Sequence, residues 1–344
     1  MTRRARVRVG LAGAGWMAGV HAAAIQHVPG MEVVAVASRT EERAAATAAR
    51  TGARAVPFDE VARGVDGVIV TTPPGHHRAH VEAAVAAGAG VLVEKPLCTT
   101  LVDADAIVAL AARGATIAYA ENLLHAPAVR LALEHRAQLG EVRVLEVRAL
   151  QSRPDWGEFL TEGWGGGALF DLGAHPIAVA LALAAPARPV EVRAHLEGAA
   201  DHPVDEHAEV TVAFDTGLQA RIEVSWRQRG TAVWDAQVAA DDGVVRLELL
   251  PEVRVERNGT EVALPPTPRG VVPELEALGY LPQVEAFALD LARGRQPAVG
   301  AHLGRDVLDL TCAAYWSAHR RSAWVELPFA GDRDRPPISL WKDG

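Results

Sequence analysis

The chain has 344 residues, 49% of them hydrophobic and 22% charged, which excludes disorder, collagen and coiled coil as descriptions of the whole. The length suits about two domains, and a net charge of −9 argues against nucleic acid or an anionic membrane as partner. Two cysteines, Cys98 and Cys312, build no disulfide framework and suit a reducing, cytoplasmic setting.

The first ~120 residues read as alternating strands and helices. Residues 7–11 are an apolar run ending in glycines, a buried strand. A helix follows over 16–28, stopped by Pro29-Gly30. Further strands are expected at 32–37, 67–71, 91–93 and 116–119. Helices are expected at 40–50, with Gly52 past its end, at 77–87, closed by Gly88, and at 100–112, capped by Thr100 with Asp103 in its first turn. This alternation means βαβ crossovers and a parallel sheet. Arg3-Arg4 and the apolar run behind them imitate a secretion signal, but the same residues form the first strand and its glycine turn. No segment is expected to span a membrane.

Beyond residue 140 the texture changes. Strands are expected at 142–150, 190–195, 209–214, 218–226, 233–239, 244–249 and 253–256. Many alternate apolar with polar residues, as in Arg221, Glu223 and Ser225 against Ile222, Val224 and Trp226. That pattern suits a sheet with one covered face and one open face. Helices at 281–293 and 303–319 close the chain. The expected class is α/β. A doubly wound parallel sheet would occupy 1–122. A C-terminal α+β domain on an open-faced, mostly antiparallel sheet would occupy 123–330, its last helices able to pack back on the first domain, and 331–344 would form a tail.

Gly13-x-Gly15-x-x-Ala18 follows the first strand and opens a helix, the context a dinucleotide fingerprint needs. One glycine allows the tight turn, the next lets backbone approach a pyrophosphate, and the small third residue lets helix and strand pack. The anion would sit on the helix N-terminus, so Gly13, Gly15, Trp16 and Met17 are expected to contact the cofactor. The second strand ends Ala37-Ser38-Arg39-Thr40. No carboxylate is placed there for a ribose 2′-hydroxyl, whereas Arg39 offers a fork of donors to a 2′-phosphate. The cofactor read from Ser38 and Arg39 is NADP, with NAD possible. No Gly-Lys-Ser/Thr run occurs, so a P-loop is excluded.

Three further motifs occur in order. Thr72-Pro73-Pro74-Gly75-His76-His77 leads through a helix to Gly88; Val91-Leu92-Val93-Glu94-Lys95-Pro96 follows; and downstream stands Gly165-Gly166-Gly167-Ala168-Leu169-Phe170-Asp171-Leu172-Gly173-Ala174-His175. Together they resemble the Gfo/Idh/MocA oxidoreductases, over nearly the whole chain. The resemblance implies a Rossmann domain, an open-faced C-terminal sheet, and hydride transfer between nicotinamide and a hydroxyl-bearing carbon, most often on a sugar or polyol. It maps the family's catalytic lysine, aspartate and histidine to Lys95, Asp171 and His175, and its Lys-Pro bond, often cis, to Lys95-Pro96. It also implies that Thr72, Pro73 and His77 line the cofactor, that Glu94 buries near the cofactor or pairs with a neighbour, that Asn122 reaches nicotinamide and substrate, and that the open sheet is buried in a homodimer or homotetramer. Many sugar-oxidising members carry an acidic residue where this chain has Ala178, which puts transfer of a polyol specificity in doubt.

The residue chemistry agrees. Oxidising a secondary alcohol needs a base for the hydroxyl proton, and histidine titrates near neutrality. Asp171, four residues before His175, would share a helical face with it and orient the imidazole or hold a substrate hydroxyl. Lys95 follows a parallel strand, where open α/β sheets bind ligands, and its ammonium can stabilise a developing alkoxide. Arg153, Trp156 and Trp164, in the loop before the glycine run, suit a sugar ring or an anionic group. No metal is expected: His76, His77 and His80 lack partner ligands, and Asp201, His202, Asp205 and His207 read as a solvated loop. Alternatives to the dehydrogenase are a redox-neutral, nicotinamide-dependent glycoside-cleaving enzyme, a non-catalytic nicotinamide-binding regulator, or reduction of a tetrapyrrole or aromatic diol.

Overall fold

The computed structural model describes residues 6–155, 157–267 and 271–343. Strand β1 (Val7–Ala12) enters the glycine turn and α1 (Trp16–Ile25). Next come β2 (Met31–Ala37), α2 (Glu41–Thr51), β3 (Arg54–Ala55), β4 (Gly67–Val70), α3 (His77–Ala86), β5 (Gly90–Glu94), α4 (Leu101–Ala112) and β6 (Ile117–Ala120). The six strands pair in parallel in the order β3-β2-β1-β4-β5-β6. All four residues of β4 are buried, as continuous apolar runs require in a sheet covered on both faces. Gly52 ends α2 in the left-handed region, φ +72°. The two-residue β3 carries no periodicity, so only the structure reveals it.

The chain continues through α5 (Pro127–Arg136), β7 (Val142–Leu150), α6 (Ala168–Asp171), α7 (Ala174–Ala184), β8 (Pro189–Gly198), β9 (Asp205–Phe214), β10 (Gln219–Ser225), β11 (Val233–Ala240), β12 (Gly243–Leu250), β13 (Arg254–Arg257) and β14 (Thr260–Val262). Then follow α8 (Pro273–Ala277), α9 (Tyr280–Arg293), α10 (Ala301–His319), β15 (Val325–Glu326) and α11 (Pro337–Lys342). The second sheet has nine strands in the order β14-β13-β12-β11-β7-β10-β9-β8-β15. It is antiparallel except where β10 runs parallel to β7. Helices α5, α6 and α7 pack against it. Alternate residues such as Arg148, Arg221 and Arg246 remain exposed.

Two compact units result. One comprises Met1–Cys98, Asp103–Asn122 and Pro268–Arg305; the other comprises Thr99–Val102, Leu123–Thr267 and Asp306–Gly344. Helix α9 therefore belongs with the parallel sheet. Its Leu281, Val284 and Phe287 share a core with Val9, Leu11 and Ile25, because an amphipathic helix must bury its apolar stripe. Residues 331–344 contain α11, whose Pro337, Ile338 and Leu340 are buried. No single helix among the described residues is long and apolar enough to cross a membrane.

Candidate active site

In the first unit the glycine turn is built as the fingerprint requires. Gly13 has φ +120°, and a Cβ there would lie 2.4 Å from Thr71 Oγ1 and 2.8 Å from the Thr71 carbonyl oxygen. The loops after β1 and β4 thus meet across a residue with no side chain. Gly15 is different. Its backbone is extended, and nothing lies within 4 Å of the Cβ position. Helix α1 then starts at Trp16 with no side-chain cap and no acidic residue in its first turn. An uncapped helix N-terminus beside open space fits the pyrophosphate of a dinucleotide. Trp16 is 61% exposed, Ser38 is half-buried at the end of β2, and Arg39 beyond it is exposed.

Lys95 stands directly after β5, half-buried, and the Lys95-Pro96 peptide is cis. Several residues expected to contact the cofactor are engaged in holding this region. Glu94 accepts from the Lys95 N–H at 3.1 Å and pairs with His21. His77 is fully buried, with Nε2 2.7 Å from the Thr72 carbonyl oxygen and Nδ1 3.1 Å from that of Leu97. It ties the loop after β4, with half-buried Thr72 and Pro73, to the loop after Lys95. Burial holds its imidazole below the ordinary range, so the neutral ring donates through one nitrogen only. Asn122 is buried and donates from Nδ2 to the Leu278 carbonyl at 2.7 Å.

In the second unit Asp171 and His175 are nearly buried, at 9% and 5% exposure. The sequence spacing placed them on one helix; the structure corrects this. Asp171 ends α6 and His175 stands second in α7, with a bend of 45° where the helix breaks. Pro176 explains the break. It has no N–H for the Leu172 carbonyl, and its ring crowds the carbonyl four residues back. The His175 N–H consequently reaches Leu172, at 3.2 Å, rather than Asp171. Trp234 of β11, which sequence reasoning missed, packs on His175 with ring centroids 5.5 Å apart. Nothing in its strand pattern separates it from an ordinary covered-face residue.

Two of the residues expected at the substrate from the loop before the glycine run have partners within the chain. Arg153 pairs with Asp201 at 3.0 Å and Glu206 at 3.2 Å. Trp164 packs on Phe159 at 4.5 Å. Trp156 lies outside the described residues. Ligand atoms of Asp201, His202 and Glu206 gather within 4.8 Å of one another. His202 Nε2 lies 3.0 Å from Glu206, and Arg153 and Arg227 pair with the same carboxylates, which makes this an ion-pair cluster. The solvated-loop reading fails for Asp205, which begins β9 and is fully buried, for His207, which lies within β9, and for His202, whose side chain is buried.

The family model described as an oxidoreductase family with an NAD-binding Rossmann fold matches residues 7–121. The Gfo/Idh/MocA C-terminal domain model matches residues 132–246. The chain is 30% identical over 311 residues to a D-xylose 1-dehydrogenase (NADP(+)) of Haloferax volcanii, covering 86% of this chain and 92% of that one. It is 37% identical over 161 residues to a dTDP-3,4-didehydro-2,6-dideoxy-alpha-D-glucose 3-reductase of Streptomyces antibioticus, covering 44% of this chain and only 49% of that protein's length. Among solved structures, GenD2 from gentamicin A biosynthesis, in complex with NAD, superposes with a TM-score of 0.84 at 27% identity, covering 95% of this chain and 99% of that chain.

Proposed function

The chain belongs to the Gfo/Idh/MocA oxidoreductase family, and from that premise we propose that it moves hydride between a nicotinamide dinucleotide and a secondary alcohol or ketone of a sugar, polyol or sugar derivative. The observation that carries this reading is Lys95 at the carboxyl end of β5 in a sheet ordered β3-β2-β1-β4-β5-β6, where such sheets bind their ligands. Relatives named as a sugar dehydrogenase and a sugar reductase support the substrate class.

When bound, the nicotinamide accepts hydride from a carbinol carbon or returns it to a carbonyl carbon. This chain's residues do the rest. The backbone at Gly13, Gly15, Trp16 and Met17 holds the pyrophosphate. Arg39 takes a 2′-phosphate, which makes NADP the preferred cofactor. The Lys95 ammonium donates to the substrate oxygen and stabilises it as negative charge develops. His175 takes the hydroxyl proton in oxidation and returns it in reduction, while Asp171 holds the imidazole or a neighbouring hydroxyl. Trp234 walls the imidazole on one side.

The open face of the second sheet carries paired charges, among them Arg148 with Asp235 at 2.9 Å and Arg254 with Glu248 at 2.9 Å. We assign it to contact with a second copy of the chain, in a homodimer or homotetramer. The buried thiols of Cys98 and Cys312 support a cytoplasmic setting, where nicotinamide dinucleotides are also available.

The test is reduced-nicotinamide absorbance with NADP⁺ and NAD⁺ across sugars, polyols and sugar acids, and with the corresponding ketones in the reverse direction. A signal with one of them, stronger with NADP⁺ and lost in Lys95→Ala, is expected. Turnover that survives Lys95→Ala overturns the assignment.

A further inference from the structure

The glycine run before α6 is held by a carboxylate from another element. Asp205, the first residue of β9, has no exposed surface. Its Oδ1 accepts from the Gly167 N–H at 2.9 Å and from the Tyr315 hydroxyl in a short hydrogen bond; its Oδ2 accepts from the Leu169 N–H at 2.8 Å. The Tyr315 hydroxyl, equally buried on α10, lies 3.0 Å from the same Gly167 N–H. Helix α6 has no side-chain cap of its own, so Asp205 caps it from β9.

The approach is close enough to dictate the sequence. A Cβ at Gly167 would lie 2.1 Å from the Asp205 carbonyl oxygen and 2.6 Å from its nitrogen. A Cβ at Gly166 would lie 2.4 Å from the Phe170 Cβ and 2.6 Å from the Tyr315 hydroxyl. Two of the three consecutive glycines are therefore the space into which β9 and α10 press. Burial pushes the Asp205 carboxyl up, against the hydrogen bonds from Leu169, Tyr315 and Gly167 that favour its charged form. A fully buried carboxylate is expensive unless several donors converge on it. The proposed hydride transfer uses neither group.

The Gly167 peptide is also where the paired side chains hang. The Asp171 N–H donates to the Gly167 carbonyl at 2.9 Å, and the Leu172 and Gly173 N–H groups donate to Ala168 at 2.9 and 3.0 Å. His175 follows through its bond to Leu172. Asp205 and Tyr315 grip the N–H of Gly167, and Asp171 grips the adjoining turn.

We infer that Asp205 and Tyr315 are positioning residues for Asp171 and His175: they fix the Gly167 peptide, and through it the backbone from which both side chains project. The inference rests on the reading of Asp171 and His175 as the proton-handling pair. A bond network so near the pair acts on geometry, where small displacements cost large factors in rate.

Tyr315→Phe removes one hydroxyl and keeps the ring, and Asp205→Asn keeps the shape but offers Leu169 one acceptor fewer. The first readout needs no substrate. The ring signals of His175 are followed by NMR, assigned by their loss in His175→Asn, with exposed His195 as internal control and NADP⁺ binding as the check on folding. Tyr315→Phe is expected to shift the His175 signals, leave those of His195 in place, and bind NADP⁺ as the unaltered chain does. On the sugar that the absorbance test identifies, kcat is expected to fall about tenfold with the KM for NADP⁺ unchanged, and that fall should vanish in a His175→Ala background. Unmoved His175 signals overturn the inference. So does an equal fall in kcat with and without His175. Full turnover in both Asp171→Asn and His175→Ala would instead sink the proton-handling reading, and the NMR shift would still decide whether the network sets the position of His175.

Discussion

His21 Nε2 lies 2.7 Å from Glu94 Oε1, joining the first helix to the last residue of β5 in a fully enclosed hydrogen bond. The other Glu94 oxygen accepts from the Lys95 N–H. One carboxylate therefore links the helix that begins at the glycine turn to the peptide that presents Lys95. Glu94→Gln turns one of its two acceptors into a donor. Leaving a buried partner unsatisfied costs about 1–3 kcal/mol. The urea midpoint of Glu94→Gln should fall accordingly, and turnover should fall further than folded fraction alone explains. A midpoint equal to the parent's would show that the pair contributes nothing.

The two glycines of the turn should separate cleanly. Gly13→Ala puts a Cβ at φ +120° and against Thr71, so it should destabilise the chain by about 1–3 kcal/mol. Gly15→Ala meets nothing in the fold, and its stability should stay within about 0.5 kcal/mol of the parent. Its affinity for NADP⁺ should nonetheless fall about tenfold or more, since on the proposed function that space receives the cofactor. Thermal melting and a binding titration on each variant measure both. Undiminished NADP⁺ binding by Gly15→Ala would remove the turn from the cofactor site.

Arg39→Ala tests cofactor choice. Hydrogen bonds between charged groups contribute about 1.5–3 kcal/mol, so NADP⁺ affinity should drop roughly 10- to 100-fold. NAD⁺ affinity should change by less than about twofold, within the reach of an uncontacted surface change. Equal losses for both would refute the 2′-phosphate assignment.

His80 sets a pH dependence of stability. It stacks on Phe58 at 4.6 Å, and burial, aided by His77 and His76, lowers its pKa from 6.5 to about 4. The unfolded chain then binds the proton more readily than the folded one between those values. Stability from this group is whole above about 6.5 and is lost as pH falls towards about 4. The urea midpoint should decline between about pH 7 and about pH 4.5, and His80→Leu should reduce that decline. A decline of the same size in His80→Leu would assign it to other groups.

The parallel sheet was legible because buried parallel strands are continuous apolar runs and glycines punctuate them; its strand order came from the structure. The open sheet was legible in β10, where Arg221 and Glu223 alternate with Ile222 and Val224. The two-residue strands β3 and β15 were not, since nothing repeats in two residues. The motif residues themselves were legible; several of their partners were not. His77 and Asn122 carry the right residue types for a ligand, yet the structure turns both onto backbone carbonyls. Asp205 read as solvated because aspartate usually is, and its three donors come from Gly167, Leu169 and Tyr315, as many as 110 residues away.

The sequence by itself determined what local rules govern: strands, helices, the glycine turn, the order of the motifs and the residue types able to move a proton. Only the tertiary structure decided which partners the buried polar groups meet. A buried donor or acceptor must find a partner, and its partner is chosen by proximity in space, which spacing along the chain does not encode. Asp171 and His175, four residues apart, stand on two helices because Pro176 breaks the first. Glu94 and His21, 73 residues apart, share a hydrogen bond because a parallel sheet brings its strand ends and helix starts to one edge.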